Sequence, residues 1–115
     1  MSIPVSLGEL PEQVARFGST PYLITVAPDS TPHAASVVLA MEDGVLKGGC
    51  GRQTAANIRQ NDVVALLWPA PVPGEHALIV DGWADVQGRP DVGLVVVIQP
   101  SSAILHITSR PLQTS

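Results

Sequence analysis

The stretch from Gly48 to Asp62 combines residue types that bind anions. It reads GGCGRQTAANIRQND, so a glycine-rich strand end runs into a short polar helix. The first turn of such a helix offers unpaired backbone N–H groups and the positive end of the helix dipole, which together favour a phosphate group. Arg52 adds a guanidinium and Thr54 a hydroxyl. The stretch therefore predicts a binding site for an anionic cofactor.

Each of these residues also has a simpler interpretation. Arg52 can be a solvated residue at a helix start, and Thr54 can be an N-cap that accepts a backbone N–H. Asn57 can be an exposed helix residue or can orient the loop. Cys50 is open to a nucleophilic role, but no motif supplies a base for it, and a buried thiol behaves mainly as a small hydrophobic group.

Composition limits the classes of function. A chain of 115 residues is expected to form one domain, residues 1–115, with a modest core of aliphatic side chains. Six Lys and Arg against ten Asp and Glu give a net charge of −4, without the basic run that a nucleic-acid-binding protein needs. Cys50 is the single cysteine, so an intrachain disulfide is excluded. With no membrane-span or secretion pattern, a cytoplasmic location is expected.

Turn residues and hydrophobic runs predict mostly strands. The spacing of Ser6 and Glu9 predicts a capping box for a helix over 7–17, with Gly18 at its C′ position. Apolar residues on both faces predict that 63–68 is a central strand, and Gly82 predicts a bulge or a close contact. A second helix is expected over 52–60. The seven predicted strands are 21–27, 33–41, 45–50, 63–68, 76–87, 92–99 and 103–109.

Short strands with hairpin-length connections predict an antiparallel sheet that closes into a small barrel. A parallel, doubly wound fold would need more helices than this sequence provides. A helix interrupts the strands only at 52–60, beside the predicted anion site. The predicted topology and the predicted anion-binding chemistry therefore indicate the same region, around the start of the helix over 52–60.

The ordered motifs of the chain resemble those of the pyridoxamine 5′-phosphate oxidase-like family, the FMN-binding split barrels. The resemblance covers residues 21–86 and extends more weakly to 106. The matching segments are Pro21-Tyr22-Leu23-Ile24-Thr25-Val26, Asp29-x-x-Pro32-His33, Asp43-Gly44-Val45-Leu46, Arg52-x-Thr54-x-x-Asn57-Ile58-Arg59, Val64-Ala65-Leu66-Leu67-Trp68 and Val80-Asp81-Gly82-Trp83-Ala84.

The resemblance implies a mainly β fold: an antiparallel split β-barrel of about six to seven strands with short helices. It implies a homodimer with the flavin in the groove between two barrels. Carried onto this chain, it places Arg52, Thr54 and Asn57 near the phosphate. It places Ser36, Val37 and Val38 on the strand beneath the ring. Cys50, Gly51 and Trp83 complete the predicted cofactor-binding residues. Trp83, beside Gly82, either stacks on a ring in the partner's groove or simply packs.

The activity implied by the resemblance is that of an FMN-dependent oxidoreductase acting on a small-molecule substrate. A deazaflavin-dependent reductase and a non-catalytic, ligand-binding dimer remain alternatives. The chain departs from the family where Thr54 replaces a frequent lysine. Vitamin B6 oxidation is not expected, because a second phosphate needs a further basic cluster and the chain has only six Lys and Arg. The three histidines lack the spacing of a local metal motif, so no metal site is expected.

Overall fold

A computed structural model describes residues 2–107 as ten elements, eight strands and two helices. The strands are β1 (Ser2–Val5), β2 (Tyr22–Val26), β3 (Pro32–Ser36), β4 (Leu39–Glu42), β5 (Val45–Cys50), β6 (Val63–Trp68), β7 (His76–Arg89) and β8 (Gly93–Ile107). The helices are α1 (Leu10–Phe17) and α2 (Arg52–Gln60). Neither helix is long and apolar enough to cross a membrane.

The eight strands form one antiparallel sheet, in which seven follow the order β3-β2-β6-β7-β8-β5-β4 and β1 pairs with β8 outside that order. The long β7–β8 hairpin forms its spine, with β5 beside the first half of β8 and β1 beside the second half. The terminal strands of this order, β3 and β4, are joined by only Val37 and Val38. So short a connection requires the sheet to curl round on itself, which confirms the predicted antiparallel barrel.

One face of the curled sheet forms the core. Leu23, Leu66, Leu78 and Ile98 are fully buried there, and they come from strands β2, β6, β7 and β8. Strand β6 is central, as predicted, because it pairs with β2 on one side and β7 on the other. Its second face differs from the prediction: Val63 is 56% exposed, so residues 2–107 do not cover both faces of this strand.

Apart from shifts of one or two residues at strand ends, the strands differ from the predictions in three ways. The predicted strand 33–41 is two strands, β3 and β4, because the chain crosses between sheet ends at Val37–Val38. The predicted strands 92–99 and 103–109 are one strand, β8, although residues 108 and 109 lie outside the described part. An additional strand, β1, pairs with β8. The count is therefore eight, above the six to seven expected.

A β-bulge explains why Pro100 does not end β8. Pro100 lies opposite Gly82, and the register shifts by one residue between Asp81 and Gly82. Proline lacks a donor for the ladder and is tolerated in a sheet mainly at edges and bulges. The hydroxyl of Ser101 donates a 3.0 Å hydrogen bond to the Asp81 carbonyl. A Cβ at Gly82 would overlap the Gln99 carbonyl oxygen, so the close contact predicted at this glycine is confirmed.

Helix α1 begins later than predicted but ends where expected. The backbone N–H of Glu9 donates to the Ser6 hydroxyl at 3.2 Å, and that hydroxyl donates to the Glu9 carboxylate at 2.7 Å. This capping box closes a turn that precedes the helix, whose first residue is Leu10. Gly18, with φ of 104°, ends the helix by donating its N–H to the Val14 carbonyl at 2.9 Å.

Candidate functional site

An open groove of about 760 Å³ lies where the two ends of the sheet meet. Its walls are the end of β3 with the Val37–Val38 connection, the end of β5, the first turn of α2 and the first residues of β8. A close backbone approach shapes this corner, because a Cβ at Gly48 would overlap the Val38 carbonyl oxygen. The chain connection that forces the sheet to curl therefore also forms one wall of the groove.

The first turn of α2 presents free backbone donors to this groove. Gly51 is the N-cap, with extended φ and ψ of −82° and 172°, and no side chain caps the helix. The first intrahelical bond runs from the Ala55 N–H to the Gly51 carbonyl at 3.0 Å. The N–H groups of the three residues before Ala55 therefore have no partner within the helix. Thr54 lies inside the helix, which excludes the alternative that Thr54 is the N-cap.

The charges around the groove favour an anion. Arg52 lines the groove and is exposed, whereas no Asp or Glu lies among the lining residues. The absence of carboxylates there is notable in a chain whose net charge is −4. The partial positive charge at the start of α2 adds to that of the guanidinium. The groove of an otherwise acidic protein is therefore lined by positive charge and by no carboxylate.

Cys50 lies half-buried in the groove wall. Burial raises the pKa of its thiol, and the Arg59 guanidinium opposes that shift only in part. A thiol with a raised pKa holds its proton at neutral pH, whereas the thiolate is the nucleophile. The electrostatics of Cys50 therefore favour the packing role over the nucleophilic one.

Asn57 lies behind the groove wall. It is fully buried and does not line the groove. Its amide donates a 3.0 Å hydrogen bond to the Thr25 hydroxyl on β2, and it accepts a 2.9 Å bond from the Gln53 amide. Asn57 thus joins α2 to the sheet, so its influence on a ligand would be exerted through the position of the helix.

The structure brings most of the predicted cofactor-binding residues together. Seven of the nine line the groove: Ser36, Val37, Val38, Cys50, Gly51, Arg52 and Thr54. Asn57 lies behind it, and Trp83, which is 53% exposed, lies on the outer face of the sheet opposite Val63 and Gln99. Which of these residues touch a ligand stays a prediction.

Two polar residues of the groove, His33 and Gln53, were missed by the sequence reasoning. His33 lies in the Asp29-x-x-Pro32-His33 turn and Gln53 in the stretch from Gly48 to Asp62, but neither residue has a chemical signature of its own there. The available signal was the alternation of β3, which places His33 on the same face as Ala35, two residues further along the strand. Elsewhere in residues 2–107, no group of three or more His, Cys, Asp or Glu side chains is placed to hold a metal ion.

Solved structures with the same fold include several flavin-related proteins. A pyridoxamine 5′-phosphate oxidase-like protein from Listeria innocua has a TM-score of 0.68 and 18% identity, covering 84% of this chain and 98% of its own. An F420 reductase has a TM-score of 0.62 and 22% identity, covering 74% and 88%. An FAD-binding protein from Mesorhizobium loti has a TM-score of 0.67 and 15% identity, covering 91% and 96%.

No protein-family model matches this sequence, and no curated protein matches it either. At identities this low, the structural likeness establishes the fold. The chain has the split-barrel fold of the pyridoxamine 5′-phosphate oxidase-like proteins. This confirms the resemblance stated from the motifs and the fold class that it implied.

Proposed function

We propose that this protein is a flavin-binding oxidoreductase that holds FMN in the groove at the start of α2 and acts on a small-molecule substrate. The observation that carries the proposal is the combination of Arg52, three unpaired helix N–H groups and the absence of carboxylates in one groove. A phosphate group is the ligand that such a combination favours. Flavin-related proteins among the structural neighbours support the same class of cofactor.

The residues present fit a cofactor of this kind. The groove volume of about 760 Å³ lies within the roughly 300–1,000 Å³ typical of small-molecule sites. Arg52, Gln53 and Thr54 lie at the α2 end, while Val38, which is 65% exposed, offers the main apolar surface of the lining. Arg52 and the α2 backbone would hold the phosphate, and the apolar surface would contact the ring and exclude water. Bound flavin supplies the hydride-transfer chemistry, so the chain need not provide a nucleophile.

The proposal includes a second copy of the chain. The outward face of the sheet carries an apolar row that crosses five strands, because Tyr22, Leu67, Ile79, Ile104 and Pro4 are register neighbours in turn. Ser36, which lines the groove, pairs with Tyr22 at the start of that row. A copy packed on this face would therefore also cover the open side of the groove. The exposed Trp83 on the same face would then approach the partner's groove.

The absorption spectrum of freshly purified protein, followed by denaturation and mass analysis of any released chromophore, tests the cofactor proposal. We expect a flavin spectrum and released FMN. Colourless protein that also fails to bind FMN at micromolar concentration would overturn the proposal. A released deazaflavin would instead support a deazaflavin-dependent reductase, which the structural likeness to an F420 reductase favours as the second candidate.

A non-catalytic dimer that binds a ligand is the third candidate, and Thr54 is the observation that favours it. A neutral hydroxyl stands where related proteins often have a lysine, which lowers the positive charge available to a phosphate. Stopped-flow measurements of flavin reduction by NADH and NADPH distinguish the cases. Reduction by either donor supports an oxidoreductase, and a tightly bound flavin that neither donor reduces supports the binding protein.

A further inference from the structure

The groove contains a second basic side chain besides Arg52. His33 on β3 is half-buried and lines the groove, and the two are the only Lys, Arg or His side chains among the lining residues. They come from separate elements, the start of α2 and an edge strand of the sheet. No carboxylate lies between them among the lining residues. An anion in the groove would therefore be approached by basic groups from two walls.

Side-chain hydrogen bonds join α2 to the neighbouring strand β2, on the face of the sheet that also carries His33. His33 is the register partner of Thr25, and directly opposite residues in an antiparallel pair project from the same face. Thr25 accepts a 3.0 Å hydrogen bond from Asn57 of α2, and Asn57 accepts one of 2.9 Å from Gln53. The face that carries His33 is thus the face that is joined to α2. Gln53 and His33 both reach the groove from this junction.

The negative charge of a phosphate monoester is equal to or larger than the positive charge that the α2 end supplies. Such a group carries about −1.5 to −2 charges at pH 7 and has three strong acceptor oxygens. Arg52 contributes one positive charge and a two-pronged donor, and the helix start contributes roughly half a charge more. Thr54 contributes a hydroxyl without charge. A further N–H donor on the opposite wall would bind an oxygen that faces away from the α2 end.

We infer that His33 is a phosphate-binding residue of this groove: its ring N–H donates to a phosphate oxygen of the ligand that Arg52 and the start of α2 hold. The inference rests on the proposed function, since it takes the groove to bind a phosphorylated cofactor. It assigns to β3 a role in ligand selection. His33 discriminates in favour of a phosphorylated flavin over the same flavin without its phosphate.

Comparing FMN with riboflavin tests this inference, because the two ligands differ by the phosphate. His33→Ala should weaken FMN affinity by roughly tenfold, the value of one charge-assisted hydrogen bond, and should leave riboflavin affinity within about twofold. His33→Gln keeps an N–H donor and should lose less FMN affinity than His33→Ala. His76→Ala, at a half-buried histidine outside the groove, is the matched control and should change neither affinity.

Other results of these titrations would overturn the inference about His33 or separate it from the proposed function. Equal losses of FMN and riboflavin in His33→Ala would indicate a packing role and overturn the inference, as would unchanged FMN affinity in a variant with wild-type melting temperature. If the wild-type protein binds neither flavin, the proposed function fails separately. The inference is then decided by histidine NMR signals, of which the chain has three, during titration with inorganic phosphate. A shift confined to the His33 signal supports the inference, and its absence overturns it.

Discussion

Arg52 is the residue on which the proposed phosphate site depends most directly. Replacing it with Ala removes the one formally charged side chain of the groove lining. Hydrogen bonds to charged groups contribute about 1.5–3 kcal/mol each, so FMN affinity should fall by roughly 10- to 100-fold. Fluorescence titration of FMN measures the change. Riboflavin affinity should change much less in the same variant.

Arg89→Ala is the matched control for Arg52→Ala. Arg89 forms a 3.5 Å ion pair with Asp91 in which both side chains are largely exposed, and such surface pairs contribute little. The control should retain wild-type FMN affinity. A similar loss in both variants would mean that the overall charge of the protein, rather than the groove, determines binding. Unchanged FMN affinity in Arg52→Ala would mean that the phosphate does not bind at the start of α2.

Cys50 provides a chemical readout of the same groove. Because burial raises the pKa of this thiol, a smaller fraction is thiolate at pH 8 than in an ordinary cysteine. Alkylation by iodoacetamide should therefore be slower than for the urea-unfolded chain, and its rate should still rise with pH where the unfolded chain has levelled off. Mass spectrometry follows the reaction, and Cys50→Ser gives the background. FMN should slow the reaction further if it covers this wall.

At the scale of secondary-structure elements, the N-terminus of α2 gives a further prediction about stability and FMN binding. Gly51 caps the helix without a side chain, so Gly51→Asn and Gly51→Asp should each stabilise the unliganded protein by a few tenths of a kcal/mol. Either side chain would also compete with a phosphate for the free N–H groups. Aspartate adds a negative charge, and we expect it to lose at least tenfold more FMN affinity than asparagine does.

Comparing Gly51→Asn with Gly51→Asp separates the effect of capping the helix from the effect of the added negative charge. Urea unfolding gives the stability of each variant, and FMN titration gives its affinity. Equal FMN losses for Gly51→Asn and Gly51→Asp would mean that competition for N–H groups, not repulsion, weakens binding. Two variants that both bind FMN as the wild type does would show that the start of α2 takes no part in the site.

The link between α2 and β2 predicts a second element-scale effect. Thr25→Val removes the acceptor of the buried Asn57 amide, and a buried polar group left without its partner costs about 1–3 kcal/mol. The urea midpoint should fall by a corresponding amount without a change in the slope of the transition. Thr20→Val, at an exposed position, should stay within about 0.5 kcal/mol of the wild type. Equal stability of both variants would contradict a supporting role for the Thr25–Asn57 bond.

The same elements show which parts of the fold were predictable from the sequence. Strands bounded by glycine, proline or acidic turns, such as β5 and β6, were predicted with the boundaries that the structure shows. The break at Val37–Val38 lies in an uninterrupted run of small and apolar residues, and it arises only because the sheet curls there. Pro100 indicated a strand end, but the bulge opposite Gly82 accommodates it. Both differences come from tertiary structure that local patterns do not encode.

The residues of the candidate site divide in the same way, into those with a local sequence signal and those whose position depends on tertiary structure. The residues at the start of α2 that line the groove were predicted as site residues because a glycine-rich strand end before a helix has a local chemical meaning. His33 was missed because its place in the lining of the groove depends on the pairing of β3 with β2, which a local pattern does not encode. Asn57 was placed near a ligand by resemblance, whereas its full burial makes it part of the helix support. Long-range pairing thus decides which side chains meet in the groove.

At the scale of the whole molecule, the outer face of the sheet is the unexplained surface. Tyr22, Val63 and Trp83 are each about half exposed there, although they are large and apolar. Exposed apolar patches on a soluble protein commonly mark interaction sites. The patch continues to the groove through the Tyr22–Ser36 pair. A single surface would then account both for dimer formation and for closure of the cofactor site.

Tyr22→Lys tests this coupling between assembly and binding. A lysine charge at a packed apolar interface is costly, whereas the same residue is solvated in the monomer, so the variant should dissociate at concentrations where the wild type remains a dimer. Light scattering after gel filtration should give about twice 12.0 kDa for the wild type and about 12.0 kDa for the variant. Val92→Lys, at a 70% exposed apolar residue in the β7–β8 turn, should leave the dimer intact. FMN affinity should fall with dimerisation in Tyr22→Lys and remain unchanged in Val92→Lys. A monomeric wild type would refute the dimer, and a dimeric Tyr22→Lys with normal FMN affinity would place the interface on another surface.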